Sequence, residues 1–308
     1  MSRDLSTDST PLDMSNQASD VLSMSATFYP REDYPGDLFI ITADNVHFVV
    51  HKRILLGESN NNFRGYLVDP NTQSLSAAAR RFHVTKVIPH LVPESSTLFN
   101  LILHVFYNFD PTIYKPDLSL IAELLDALPL YGVDVIRPFS EGKYFFKITL
   151  DHAPAAALDT YTLVCRHRLE TLAVKCSQYL ISVPLHHLTD EHCISMGPVY
   201  LRRLVFLHLG RIERLKILLK APPASHPPSL LCDALDQRSR LEKPWREAIN
   251  EICWDITADT PLSLLQGTLG PLVEKSPCSE CQMAIKERIR KLFVDWTMVK
   301  NTIQAGPA

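Results

Sequence analysis

The chain has 308 residues, with 31 Lys+Arg against 34 Asp+Glu for a formal net charge of −3, and it is 46% apolar and 21% charged. That balance excludes a polyelectrolyte binder, because nucleic acid or an anionic membrane as the main partner calls for a strong basic excess. At about 150 residues per domain, the length predicts two domains, each able to bury its own core.

Residues 1–30 read as a disordered tail, with Ser2, Ser6, Ser9, Ser15, Ser19, Ser23 and Ser25 interspersed with Asp4, Asp8, Asp13 and Asp20. The stretch has neither the basic start nor the apolar middle of a signal peptide. No run of about 18 apolar residues follows, so no membrane span is expected. All seven cysteines lie between Cys165 and Cys281. That is too sparse for a disulfide scaffold, so reduced thiols and an intracellular home, cytoplasm or nucleus, are expected.

Residues 34–145 are expected to form a small α+β domain. Leu38–Thr42 and Val46–Val50 are apolar, β-branched runs on either side of the turn-prone Ala43-Asp44-Asn45, which predicts a hairpin. A short helix follows from His51, with Ile54, Leu55 and Leu56 as its apolar patch. Val84–Ile88 alternates as a third strand after a polar loop around 69–81. Ser95-Ser96 then reads as the N-cap of a helix over 97–107 with Leu98, Leu101, Ile102, Val105 and Phe106 on one stripe. A further helix is predicted over 118–130, with Ile121, Leu124, Leu125 and Leu128 inward.

Several of these residues, in this order, resemble the BTB/POZ family. They are Gly36-Asp37-Leu38-Phe39-Ile40, Phe48-Val49-Val50-His51-Lys52-Arg53-Ile54-Leu55, Ser59 and Phe63, then Val87-Ile88-Pro89, Pro93-Glu94-Ser95-Ser96, Tyr107 and Leu130-Tyr131-Gly132-Val133. The resemblance implies a three-stranded sheet with helices, in which His51 is a structural marker at a helix start. The extra strand that precedes the fold in many relatives, and is exchanged between their subunits, is not evident here. The resemblance also implies self-association or binding to a cullin-type ubiquitin ligase scaffold through the loop 89–96 and the helix 97–107. It places Glu94 and Phe99 in that contact region, and Asp37, Lys52 and Arg53 at a charged pocket.

Residues 155–302 lack strand alternation. Apolar residues recur at three and four through Tyr161–Ala173 and Leu201–Leu219, punctuated by Pro184, Pro198, Pro222-Pro223, Pro227-Pro228, Pro244 and Pro261, which predicts an all-α domain of five to seven helices. It resembles the helical extension found after the BTB domain in fungal proteins of this type.

Cys278-Ser279-Glu280-Cys281 is the one spacing that chemistry commonly uses: two thiolates two residues apart at a helix start, able to share a zinc ion. A closed site needs two more ligands, and Cys232, Cys253, His226 and His208 are the candidates. Their spacing does not choose among them. The His-rich stretch Leu185–Cys193 reads as a loop entering a helix capped by Thr189 or Asp190. The basic helix 199–220 reads as a solvated face carrying Arg202, Arg203, Arg211, Arg214, Lys216 and Lys220, and His208 sits on its apolar side. No phosphate-binding glycine loop, nucleophile elbow or zinc-protease helix occurs.

The sequence therefore predicts an adaptor rather than an enzyme, binding protein and no small-molecule substrate, nucleic acid or membrane. The competing expectation is a zinc-binding transcriptional regulator built on the half that holds Cys278 and Cys281.

Overall fold

A computed structural model describes residues 23–30, 36–67, 90–229 and 232–306. The chain divides into two compact units between Tyr107 and Asn108. Among the described residues no helix is long and apolar enough to cross a membrane.

The first unit is α+β. Strands β2 (Leu38–Ile41) and β3 (Val46–Val50) form the expected antiparallel hairpin, pairing Leu38 with Val50 and Ile41 with His47. Its turn works because Asn45 takes a left-handed conformation (φ 60°), which asparagine tolerates, while its amide donates to Thr42 O at 2.9 Å. Strand β4 (His90–Leu91) pairs in parallel with β2. The strand expected over 84–88 lies outside the described residues.

Among the described residues the sheet has four strands, in the order β1 (Ser23–Met24), β3, β2, β4, where three were expected. The additional strand β1 pairs in parallel with β3 and comes from the stretch read as a disordered tail. Serine-rich polarity hid it, because its hold on the sheet is backbone hydrogen bonding and one aromatic anchor. Ser25 N donates to His47 O, and Val49 N donates to Phe28 O, both at 2.9 Å. Phe28 is buried and meets His104 and Tyr107 edge-on, with centroids 5.4 and 5.1 Å away.

Helix α1 (Lys52–Glu58) starts after His51, whose side chain accepts no cap bond from the helix amides. Asp37 serves instead: its Oδ1 accepts from Lys52 N at 2.7 Å across the sheet edge. Helix α2 (Ser96–Tyr107) is the centre of this unit, with seven of its residues buried. Ser95 Oγ accepts from Leu98 N, and Asp44 in the hairpin turn accepts from Ser96 N and Oγ. At its far end the Tyr107 hydroxyl accepts from His51 N at 2.8 Å, tying the end of α2 to the start of α1.

These positions correct the expected contact surface. Phe99 is fully buried against Phe48 and Phe63, so it supplies core. Glu94 is buried as well and pairs with Arg64 at 2.8 Å. Of this helix, Ser96, Thr97, Asn100, Val105 and Tyr107 are the residues left at least partly exposed.

The second unit is helical. Helix α3 (Leu118–Ala127), capped by Asp117 accepting from Leu120 N, and the 3₁₀ turn Leu128–Tyr131 realise the helix expected over 118–130, but they lie in this unit and not in the first. Helices α4 (Tyr144–His152), α5 (Ala157–Arg166) and α6 (Glu170–Cys176) follow. The spine is α7 (Asp190–Lys220), capped by Thr189 as expected. It breaks at Gly197, whose φ of 74° glycine adopts without the Cβ penalty, and resumes at Pro198, a residue suited to a helix start.

The first half of α7 packs on α5, with the Tyr161 hydroxyl donating to Tyr200 O at 3.2 Å. His208 is buried and bonded to Leu180 O at 3.0 Å, the satisfied core histidine the sequence implied. The second half enters another core built by α9 (Lys243–Trp254), α10 (Leu262–Leu269), α11 (Pro271–Lys275) and α12 (Ser279–Thr297). Leu215, Leu219, Trp245, Leu265 and Leu292 meet there, and Trp245 Nε1 donates to Leu219 O at 3.0 Å. With the short α8 (Ala234–Gln237), eight α-helices follow Ala156, more than the expected five to seven.

Truncating Phe99 to Ala is expected to destabilise the first unit by about 3–5 kcal/mol, the usual cost of a large cavity. Asp37→Ala is expected to cost about 1 kcal/mol, the value of a lost helix cap. Urea unfolding checks both, and equal effects from the two would contradict the assignment of core to one and cap to the other.

Candidate metal centre

Helix α7 ends where Ala221 leads into Pro222-Pro223, which cannot continue it. Its last carbonyls are taken by Arg288 of α12, which donates from Nε to Ala221 O at 2.8 Å and from Nη2 to Leu218 O. A cation on the orphan carbonyls of a helix C-terminus is the favourable end for it. The chain then runs through a proline-rich loop to His226.

Both backbone groups of His226 are clamped by the buried Gln237. His226 N donates to Oε1 at 3.1 Å, and Nε2 of Gln237 donates to His226 O at 2.9 Å. Gln237 itself is fixed because Asp233 caps α8, accepting from Leu235 N and Asp236 N at 2.8 Å each. Cys232 is held by a two-way backbone bridge with Ser229. On the other side, Cys278 is the N-cap residue of α12 and Cys281 falls in its first turn, the helix-start placement the sequence implied.

Thus His226, Cys232, Cys278 and Cys281 converge, their ligand atoms all within 4.8 Å of one another. His226 Nε2 lies 3.2 Å from Cys281 Sγ and 3.5 Å from Cys278 Sγ, and Cys232 Sγ lies 3.7 Å from Cys281 Sγ. A tetrahedral zinc with Zn–S of about 2.3 Å and Zn–N of about 2.0 Å has S–S edges of about 3.8 Å and N–S edges of about 3.5 Å. These three separations are near those edges and the whole set lies within 4.8 Å, so the four residues could hold a metal such as zinc. This is the one such group of metal-ligating side chains among the described residues.

The imidazole is oriented for the task. Its Nδ1 lies 2.8 Å from Pro227 O and 2.9 Å from Glu280 Oε2, both acceptors, so Nδ1 carries the proton and Nε2 presents its lone pair to the thiols. A second carboxylate or carbonyl partner of this kind fixes a metal-binding histidine's tautomer and raises its basicity. The Pro227 carbonyl, together with the nearby Cys278 and Glu280, holds the His226 pKa above its usual value.

The thiols are polarised in opposite directions. The amides of Cys281 and Glu280 at the start of α12 lower Cys278 to about 7. They favour its thiolate electrostatically without forming a well-aligned cap bond. Burial pushes Cys281 up to about 12 and also raises Cys232. The two buried thiols, Cys232 and Cys281, resist ionisation beside Cys278 unless a cation compensates, and a bound metal reverses that preference.

Of the candidate ligands named from sequence, Cys278 and Cys281 are joined by His226 and Cys232. Cys253 lies outside the cluster on α9, and His208 is engaged by Leu180 O. His186 and His187 meet edge to face, and His192 completes the cap at Thr189. In the first unit Asp37, Lys52, Arg53, Glu94 and Phe99 form no such convergence. Sequence reasoning did not see Gln237 or Glu280 as supports; Glu280's place inside the cysteine motif was the one available signal. Comparison with family models, curated proteins and solved structures finds no match for this chain.

Cys232→Ser and Cys278→Ser are each expected to remove zinc from the purified protein, measured by elemental analysis. Cys253→Ser and His208→Asn should retain one zinc per chain. Because binding requires Cys278 as thiolate and His226 Nε2 unprotonated, affinity should rise with pH from 6 to 8, and a competition titration showing the opposite trend would contradict the ligand set.

Proposed function

We propose that this protein is a non-enzymatic adaptor: a BTB/POZ-like first unit that holds a polypeptide partner, carried on a helical unit clasped by a structural zinc. The observation that carries the reading is the closed donor set. Four protein ligands would complete a tetrahedron around one ion and leave no position for a substrate or a reactive water, which is the pattern of a clasp rather than a reagent. Cys232 and Cys281 are buried beneath it.

The adaptor half rests on the resemblance and on element order. Hairpin, short helix, strand and central helix follow one another in the first unit in the sequence that the resemblance implies. Since most of α2 is buried, contact would fall on the residues around it. Leu91 is 70% exposed on β4, and Arg53 is exposed on α1 beside the partly exposed Lys52. Affinity in such surfaces comes from a few apolar anchors with charge setting specificity. The resemblance points to a second copy of this chain or a cullin-type scaffold as the polypeptide held, in an intracellular compartment.

The zinc-binding regulator shares the same metal centre, and the four-ligand cluster favours that part of it. DNA association distinguishes the two, because the adaptor reading requires none.

Light scattering on the full chain, with pull-down of a purified cullin, tests the adaptor. Dimer mass or cullin capture is expected, reduced at least about tenfold by Leu91→Arg with Arg53→Glu while the thermal melt is unchanged. A monomer that captures no cullin, or capture indifferent to both substitutions, would overturn the assignment.

A further inference from the structure

A groove of about 690 Å³ runs between the second half of α7 and the chain segment 299–306. Its lining includes Arg202, Arg203, Phe206, Gly210, Arg214 and Lys300, and it contains no Asp or Glu. This concentration of positive charge stands out in a chain whose net charge is −3.

The cations differ in what they already do. Arg203 is held by Glu170 at 2.9 Å, and Arg211, also in the lining, is buried with its guanidinium on the carbonyls of Ala258, Val299 and Lys300. Arg202, Arg214 and Lys300 are exposed, and among the described residues their cationic groups make no hydrogen bond or ion pair. Charge is therefore available at the groove without breaking a structural contact.

Shape follows from the helix. Arg203 and Arg214 are eleven residues apart, three turns, so they lie on one face about 16 Å from each other. Between them stand Phe206, 63% exposed, and Gly210. A Cβ built on Gly210 meets nothing within 4 Å, so packing does not demand glycine there. A glycine inside a helix weakens it relative to alanine, and here its effect is to leave a bare floor midway along the groove.

The opposite wall is fixed in place. Ile303 is buried, its amide donating to Ser177 Oγ at 3.0 Å, and Gly306 N donates to Glu170 Oε1 at 2.6 Å. A groove already formed in this way avoids the ordering cost of closing around a ligand.

We propose that this groove docks a short acidic peptide segment of a partner protein, carrying one apolar side chain between acidic ones. About five extended residues span 16 Å at about 3.3 Å each. Acidic side chains would meet Arg202, Arg214 and Lys300, and the apolar one would lie against Phe206 over the Gly210 floor. Recognition of acidic motifs by clustered arginines is a recurring mode of peptide binding. A nucleic-acid strand calls for a row of exposed rings to stack its bases, and Phe206 is the single exposed aromatic in this lining. The inference is independent of what the first unit binds and of the metal.

The test uses the full chain and a fluorescein-labelled five-residue peptide, one leucine flanked on each side by two glutamates, followed by anisotropy. Saturable binding that weakens with added salt is expected, and the same peptide with lysines for glutamates should not bind. Arg214→Glu should weaken binding at least about tenfold. Gly210→Leu should abolish it by filling the floor, with a melting temperature equal to or above that of the parent chain. No binding of the acidic peptide, equal binding of the lysine peptide, unchanged affinity in Gly210→Leu, or displacement of the peptide by inorganic phosphate or a uridine oligonucleotide at lower concentration than unlabelled peptide would each overturn the proposal.

Discussion

Three thiols and an imidazole packed within 4.8 Å of one another set the terms on which residues 221–306 fold. Two of those thiols are buried, so water cannot stabilise their ionised forms, and each negative charge raises the cost of the next. A divalent cation removes both penalties at once. Structural zinc sites contribute about 10–16 kcal/mol of apparent binding energy at neutral pH, as much as the whole net stability of a typical domain, about 5–15 kcal/mol. On that scale a zinc ion bound as proposed would add stability comparable to that of the helical core beside it.

The neighbouring contacts are consistent with that weight. The two ligand segments are 46 positions apart, from Cys232 to Cys278, and the helices between them return the chain to its starting point around Trp245. Arg288 on α12 holds the end of α7, and its guanidinium carbon lies 5.8 Å from the Trp245 ring centroid. Arg211 on α7 binds the carbonyls of Ala258, Val299 and Lys300 while stacking 4.4 Å over Trp296. Each arginine thus fastens the long helix to the segment that carries Cys278 and Cys281. Both also satisfy backbone carbonyls that would otherwise be left without donors, a cost of about 1–3 kcal/mol each when buried.

Much of the fold was legible because local chemistry matched the final structure. Two apolar, β-branched runs on either side of Ala43-Asp44-Asn45 marked the hairpin, and Thr189, one of two candidate caps, marked the start of α7. His208 could be placed in the core because it falls on the apolar stripe between Leu204 and Ile212. Strand β1 was illegible for the converse reason: two residues held by backbone hydrogen bonds leave no side-chain pattern. Phe99 was legible as core from its aromatic character, and only the family resemblance placed it in a contact region; its ring is buried against Phe48 and Phe63. At the metal centre Cys278 and Cys281 were plain from spacing. His226 and Cys232 were two names among four, since choosing them over Cys253 and His208 depends on how the four intervening helices α8 to α11 fold back.

The central claim is that one metal ion sits on one imidazole and three cysteine sulfurs. X-ray absorption at the zinc edge of the purified full-length protein tests it most directly. The account predicts a first shell of three sulfurs at about 2.3 Å and one nitrogen at about 2.0 Å. A shell of oxygen and nitrogen without sulfur, or a folded protein that takes up no zinc, would contradict it.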